Sequence, residues 1–186
     1  SLTLGATSAD TVTIKSTYGV YNAGGTLTVG HATINTDGWS VAVNDSASKT
    51  GVVTIGEGAI ISSQNGNCIG TMVGSKPNVT ITGGQLTSNG TAWDAGVIYW
   101  ASEGTLTITG GTFTASSAEG STAAAVYQKN GTVKISGTTA KLLGNNALVV
   151  KSGEGSTGTM ITELSGGTYS TRPEDSWVVN GYRAIE

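Results

Sequence analysis

VTITGGQLTSNG (79–90) and LTITGGTFTASS (106–117) are near-copies whose starts lie 27 residues apart. Each reads as an alternating triplet, V-T-I or L-T-I, then a glycine pair, then a second short run. Alternation with period two puts the aliphatic residues on one face and threonine on the other, the pattern of a half-buried strand. The glycine pair supplies the positive φ angles of a sharp corner.

Outward from these copies, the last apolar residue of each triplet recurs as Leu4, Val29, Ile55, Ile81, Ile108, Ile135 and Leu164, at spacings of 25, 26, 26, 27, 27 and 29 residues. A period in this range marks a solenoid or a propeller. Five residues further on lies a second column, Ala9, Ile34, Ile60, Leu86, Phe113, Ala140 and Tyr169. A third run follows at a less constant offset: Gly19-Val20-Tyr21, Val41-Ala42-Val43, Val97-Ile98-Tyr99, Ala125-Val126-Tyr127 and Leu148-Val149-Val150. Propeller blades need about 40 residues and antiparallel hairpins. The repeat therefore predicts an all-β, single right-handed parallel β-helix of about seven coils with three short strands per coil, roughly 30–35 Å long at the ordinary strand spacing.

The whole chain, 1–186, reads as one β-helix domain. Residues 1–25 form an irregular first coil, to which Val12-Thr13-Ile14 adds a second or third strand. Residues 159–186 form a C-terminal capping unit, where Thr162 replaces an apolar triplet residue and Arg172-Pro173-Glu174-Asp175 bring charge; terminal repeats are expected to be atypical. The chain begins mid-pattern at Leu2-Thr3-Leu4, which suggests a piece of a larger, exported protein.

Composition narrows the function classes. Gly 29 and Pro 2 with 11% charged residues fit a turn-rich all-β chain. A net charge of −3 with scattered basic residues argues against nucleic acid as a partner, and no apolar run is long enough for a membrane span. Cys68 is the single cysteine; no disulfide framework exists, and a buried thiol is expected. No cofactor or metal motif is present, and the glycine-rich nonapeptide of calcium-binding β-rolls is absent.

The phrases LTITGGTFTASS (106–117), AAAVYQKNGTVKISG (123–137) and the tail GGTYSTRPEDSWVVNGYRAIE (166–186) resemble repeat regions of large surface proteins of gut Firmicutes. More distantly, the architecture resembles the pectate-lyase-like β-helix. The resemblance implies an extracellular, bacterial cell-surface location and an adhesive or display role, with a glycan or a host surface receptor as partner. The lyase signature of clustered aspartates with a catalytic arginine has no match here.

Positions about eight to thirteen past each marker form a polar loop column: Asp37 and Trp39; Gln64, Asn65 and Asn67; Trp93 and Asp94; Glu119; Asn145 and Asn146; then Glu174, Asp175 and Trp177. Stacked coils would line these up along one edge. Aromatic faces pack on sugar C–H surfaces while carboxylates and amides take hydroxyls, so the candidate ligand-binding set is Asp37, Trp39, Asn65, Asn67, Trp93, Asp94 and Glu119. A plainer reading keeps the loops merely polar, with Trp93 and Trp177 folded over the core. A catalytic alternative, a polysaccharide lyase or glycoside hydrolase, would use Asp94, Glu119 and Asp37, with Asp94 and Glu119 at the separation of a retaining glycosidase if their loops stay in register. A third alternative is ice binding through the outer threonines Thr3, Thr28, Thr54, Thr80 and Thr107, with Thr82 and Thr109 as part of a second column; against it, Lys134 and Glu163 interrupt the first column and glycine fills the second at Gly5, Gly30 and Gly56.

Overall fold

The computed structural model describes residues 1–44, 50–153, 156 and 158–183. Three parallel sheets wind around one core. The first stacks Leu2–Leu4, Gly25–Val29, Gly51–Ile55, Asn78–Ile81, Thr105–Ile108, Thr132–Ile135 and Ile161–Leu164. The second stacks Val12–Ser16, Ala32–Thr36, Ile60–Ser63, Gln85–Ser88, Thr112–Ala115, Lys141–Leu143 and Thr168–Tyr169. The third stacks Val20–Asn22, Val41–Val43, Ile69–Thr71, Ile98–Trp100, Ala124–Gln128 and Asn146–Val150. The described residues thus make six complete coils and a seventh with two strands, closed by a short 3-10 turn at Asp175–Trp177 and a bridge from Leu164 to Val178.

The marker residues are vertical neighbours from end to end: Leu4 pairs with Val29, then Ile55, Ile81, Ile108, Ile135 and Leu164. Val29, Ile55, Ile81, Ile108 and Ile135 are fully buried. A second inner file runs Ile14, Ile34, Ile61, Leu86, Phe113, Leu142 and Tyr169. A third runs Val20, Val41, Ile69, Ile98, Val126 and Leu148. Each buried aliphatic side chain contributes about 1.5–3 kcal/mol. No coil can bury its own apolar set alone, so stability comes from stacking on its neighbours.

The second file corrects three expected members: Ile14, Ile61 and Leu142 stand in place of Ala9, Ile60 and Ala140. The cause is a first corner of variable length. It spans five residues from Val29 to Ile34, but six from Ile55 to Ile61, seven from Ile135 to Leu142 and ten from Leu4 to Ile14. In coils 3 and 6 the extra residues form turns closed by Ala59 N–H to Gly56 O and Ala140 N–H to Gly137 O, both 3.2 Å. Ala59 and Ala140 are buried inside those turns, while Ile60 faces outward. Where the corner is short, the second residue of the glycine pair takes the left-handed conformation, with φ of 94° at Gly84, 103° at Gly111 and 98° at Gly167, which side chains disfavour. Coil 3 has the third strand expected of every coil, at Ile69–Thr71, residues absent from the third-strand runs picked out in the sequence.

A hydroxyl file holds the second corner, where the loops leave the sheet. Ser16, Thr36, Ser63 and Ser88 stack in register, exposed at Ser16 and buried in the other three, and Ala115 ends the file. Ser63 Oγ donates to Gly38 O at 2.6 Å and accepts from Gly66 N–H at 2.9 Å. Ser88 Oγ lies 2.8 Å from Gly66 O and 2.6 Å from Ala95 O, and accepts from Gly90 N–H. These hydroxyls satisfy backbone groups that the corner takes out of the sheet ladder. At the C-terminal end, inward-facing Thr162 donates to Gln128 Oε1 at 2.7 Å, and the same buried amide donates to Gly131 O and Ile161 O. The polar departure in the capping unit is therefore paired.

Candidate binding face

The loop column divides into two kinds of residue. The amides tie each loop to the coil before it. Asn65 Nδ2 donates to Asp37 Oδ1 at 2.6 Å, Asn89 Nδ2 to Gln64 Oε1 at 3.1 Å, Asn145 Nδ2 to Ala118 O at 3.0 Å and Asn146 Nδ2 to Ala123 O at 3.2 Å. Asn67 is fully buried and donates to Gly96 O at 2.9 Å, so it does not belong to the exposed edge. Its Oδ1 has no partner among the described residues. Trp177 packs against the core, and Arg172 pairs with Asp175 at 3.0 Å.

Asp37, Asp94 and Glu119 are exposed. Asp94 and Glu119 are not register partners. Thr122 N–H donates to Thr91 O at 2.8 Å, which fixes how these two loops stack. Asp94 follows that tie in its loop, whereas Glu119 precedes it.

Trp39 and Trp93 behave differently: they fold onto the outer face of the third sheet. Its outward file reads Tyr21, Ala42, Gly70, Tyr99, Tyr127 and Val149. Trp93 lies against two of these rings, 5.9 Å from Tyr99 at 62° and 5.4 Å from Tyr127 at 47°, while Tyr99 and Tyr127 are 5.9 Å apart at 33°. These are favourable edge-to-face and tilted separations. Trp93 nevertheless remains 45% exposed. Trp39 occupies the space above Gly70: a Cβ built there would meet the indole Cε3 at 2.9 Å and Cζ3 at 3.0 Å. Beside it opens an apolar groove of about 380 Å³ formed by Tyr18, Gly19, Val20, Tyr21, Trp39, Ala42 and Met72.

Burial, and then the nearby negative charge of Asp94, push the Tyr99 phenol above its ordinary value. Burial and then Tyr99 push the Tyr127 phenol up, while Lys129 acts the other way. Both hydroxyls therefore remain protonated around neutral pH, able to donate and to accept. Asp94 and Lys129 place one charge of each sign beside this cluster.

Two parts of this face were not legible from the sequence. Tyr18 and Met72 join it from outside the loop column, and Gly70 matters through the side chain it lacks. The signal available was a glycine in the same file as three tyrosines, one coil below Tyr99.

Elsewhere the chemistry is quiet. Cys68 is fully buried, with its thiol 3.2 Å from Thr87 O, and burial pushes its pKa up to about 12. Among the described residues no group of three or more His, Cys, Asp and Glu is placed to hold a metal ion. Among them, too, no helix is long and apolar enough to cross a membrane, which leaves β-barrels unaddressed. On the first sheet, Thr3, Thr28, Thr54, Thr80 and Thr107 do form one outward file, continued by Lys134 and Glu163. The file beside it is Thr26, Val52, Asn78, Thr105 and Thr132. Gly5, Gly30 and Gly56 stack on one another where the strands enter the corner, with Gly30 N–H donating to Leu4 O and Gly56 N–H to Val29 O.

Compared with protein-family models, curated proteins and solved structures, the chain matches none.

Proposed function

We propose that this chain is a non-catalytic, surface-displayed β-solenoid domain of a larger bacterial protein, and that it binds glycans through the outer face of its third sheet. One observation carries the reading. Trp93 leaves its loop to lie on Tyr99 and Tyr127, yet keeps nearly half of its surface in solvent. A tryptophan that serves only the core is placed like Trp100, which is fully buried. Tyr127 beneath Trp93 is buried and Tyr99 half-buried, so the Trp93 indole is the ring this group presents to solvent, and an exposed aromatic surface held on a ring platform suits an interaction site. Ring faces suit the apolar faces of sugars, and the phenols and Asp94 offer partners for hydroxyl groups. The resemblance of its repeat phrases to bacterial surface repeats supports display outside the cell.

A glycan array with the intact chain, followed by calorimetric titration of the hits, tests this reading. Trp93→Ala is expected to weaken binding by about five- to tenfold, the loss of one aromatic contact worth about 1–1.4 kcal/mol, with the melting temperature nearly unchanged. Incubation with the hits is expected to release no new reducing ends and no unsaturated products. Turnover that disappears in Asp94→Asn would replace this reading with a catalytic one.

A further inference from the structure

The third-sheet face extends beyond the Trp93 cluster, and its geometry constrains the shape of the ligand. The outward file places Tyr21 on coil 1, Ala42 on coil 2, Gly70 on coil 3, Tyr99 on coil 4 and Tyr127 on coil 5. Trp39 supplies the missing ring above Gly70, and Trp93 lies beside the last two. Rings therefore stand over coils 1, 3, 4 and 5. The single gap, at Ala42, is the floor of the groove between Tyr21 and Trp39. Five coils span about 19 Å at the spacing of hydrogen-bonded strands, a length that takes several sugar rings rather than one. The rings all stand on one column of one sheet, so the strip runs along the solenoid axis.

Charge narrows the class. The charges that act on the Tyr99–Tyr127 pair are Asp94 and Lys129, of opposite sign. The chain as a whole carries −3. Among the described residues, those two opposite charges make no basic stripe for a polyanionic chain.

We propose that the strip from Tyr21 to Tyr127 binds a linear, uncharged polysaccharide laid parallel to the solenoid axis, with one anchor in the Tyr21–Trp39 groove and a second on the Trp93–Tyr99–Tyr127 platform. This rests on the glycan-binding reading above and specifies its ligand. The two anchors act as linked sites. Once one end of the chain is seated, the other binds at a high effective concentration, so a ligand long enough to reach both gains far more than one that reaches either. Gly70 is a positioning residue: any side chain there drives the Trp39 ring off the sheet, although Gly70 itself offers a ligand nothing.

The test is a titration of neutral β-linked oligosaccharides, from disaccharide to octasaccharide, against the intact chain, Trp39→Ala, Trp93→Ala and Gly70→Val. Affinity is expected to rise steeply with length, by roughly a hundredfold once both anchors are spanned, and then to level off. Each variant should remove that rise and leave the weak binding of the disaccharide at the remaining anchor. Gly70→Val should match Trp39→Ala, with the intrinsic tryptophan fluorescence reporting a more exposed indole and the circular dichroism unchanged. Affinity independent of length, or equal loss for short and long ligands, would overturn the axial arrangement while leaving glycan binding intact. Tighter binding of a polyuronate than of its neutral counterpart would overturn the assigned class. Failure of every glycan to bind would remove this inference together with the reading beneath it.

Discussion

The outer faces of the first and third sheets share one period and one strand spacing, yet they carry different chemistry. On the first sheet the exposed files are threonine-rich, with Thr28, Thr54, Thr80 and Thr107 in line and Thr26, Thr105 and Thr132 beside them. Threonine suits an exposed strand through its branched carbon and stays hydrated through its hydroxyl. On the third sheet, tyrosines share the outward file with residues as small as alanine and glycine, and two tryptophans arrive from the loops. The inner files of both sheets are alike, because the axis imposes the same packing on each coil. The difference teaches that the axis dictates the inside of this solenoid and leaves the outside free. The face that departs from the simple exposed-strand pattern is therefore where a ligand is to be sought.

The sharpest way to break this comparison is to exchange inside and outside within one strand. Ile108 is fully buried between Ile81 and Ile135, while its neighbour Thr107 faces out. Ile108→Ala is expected to cost about 2–5 kcal/mol in urea unfolding, and Thr107→Ala about 0.5 kcal/mol or less. Comparable losses for the two would mean that the outer face is as constrained as the core, and the contrast between faces would lose its meaning.

A smaller effect is expected at the second corner, from which Trp39 and Trp93 are launched. Ser63→Ala leaves Gly66 N–H without its partner inside a buried turn, which costs about 1–3 kcal/mol. Ala115 occupies the same file without such a bond, so Ala itself fits the position and the loss reports the missing hydroxyl. Thermal unfolding should show the drop. An unchanged midpoint would mean that the loops hold themselves and that the hydroxyl file contributes little.

These experiments follow the division between what the sequence disclosed and what it hid. The first inner file was legible to the residue, because V-T-I and L-T-I alternate strictly and the triplets recur almost evenly. The second file was legible only where the corner was short. In coils 3 and 6 a turn adds residues and buries an alanine, Ala59 or Ala140, and apolarity alone does not separate a turn alanine from a strand residue. The third strand of coil 3 was hidden by Gly70, which reads as a strand breaker until Trp39 is seen above it. Loop polarity was visible, but side-chain direction was not. Asn67 turns inward to a backbone carbonyl and Asn65 bonds the Asp37 carboxylate, because acceptors in adjacent loops compete with any ligand for the same amides. The Tyr21, Tyr99 and Tyr127 column was visible as a column; its covering rings were not.

The smallest expected effect lies where the threonine file ends. Lys134 and Glu163 replace threonine in consecutive coils and pair at 2.8 Å, with nearly half of each side chain in solvent. An exposed pair of this kind contributes about 0–1 kcal/mol and is screened by salt. Lys134→Thr extends the file by one residue and removes the pair. It should shift stability by no more than about 0.5 kcal/mol at moderate salt, with the difference from the parent chain shrinking as salt rises. Glycan affinity should not change, since the substitution lies on the first sheet. A marked fall in affinity would show that the ligand reaches around the solenoid, and that the two faces act together rather than apart.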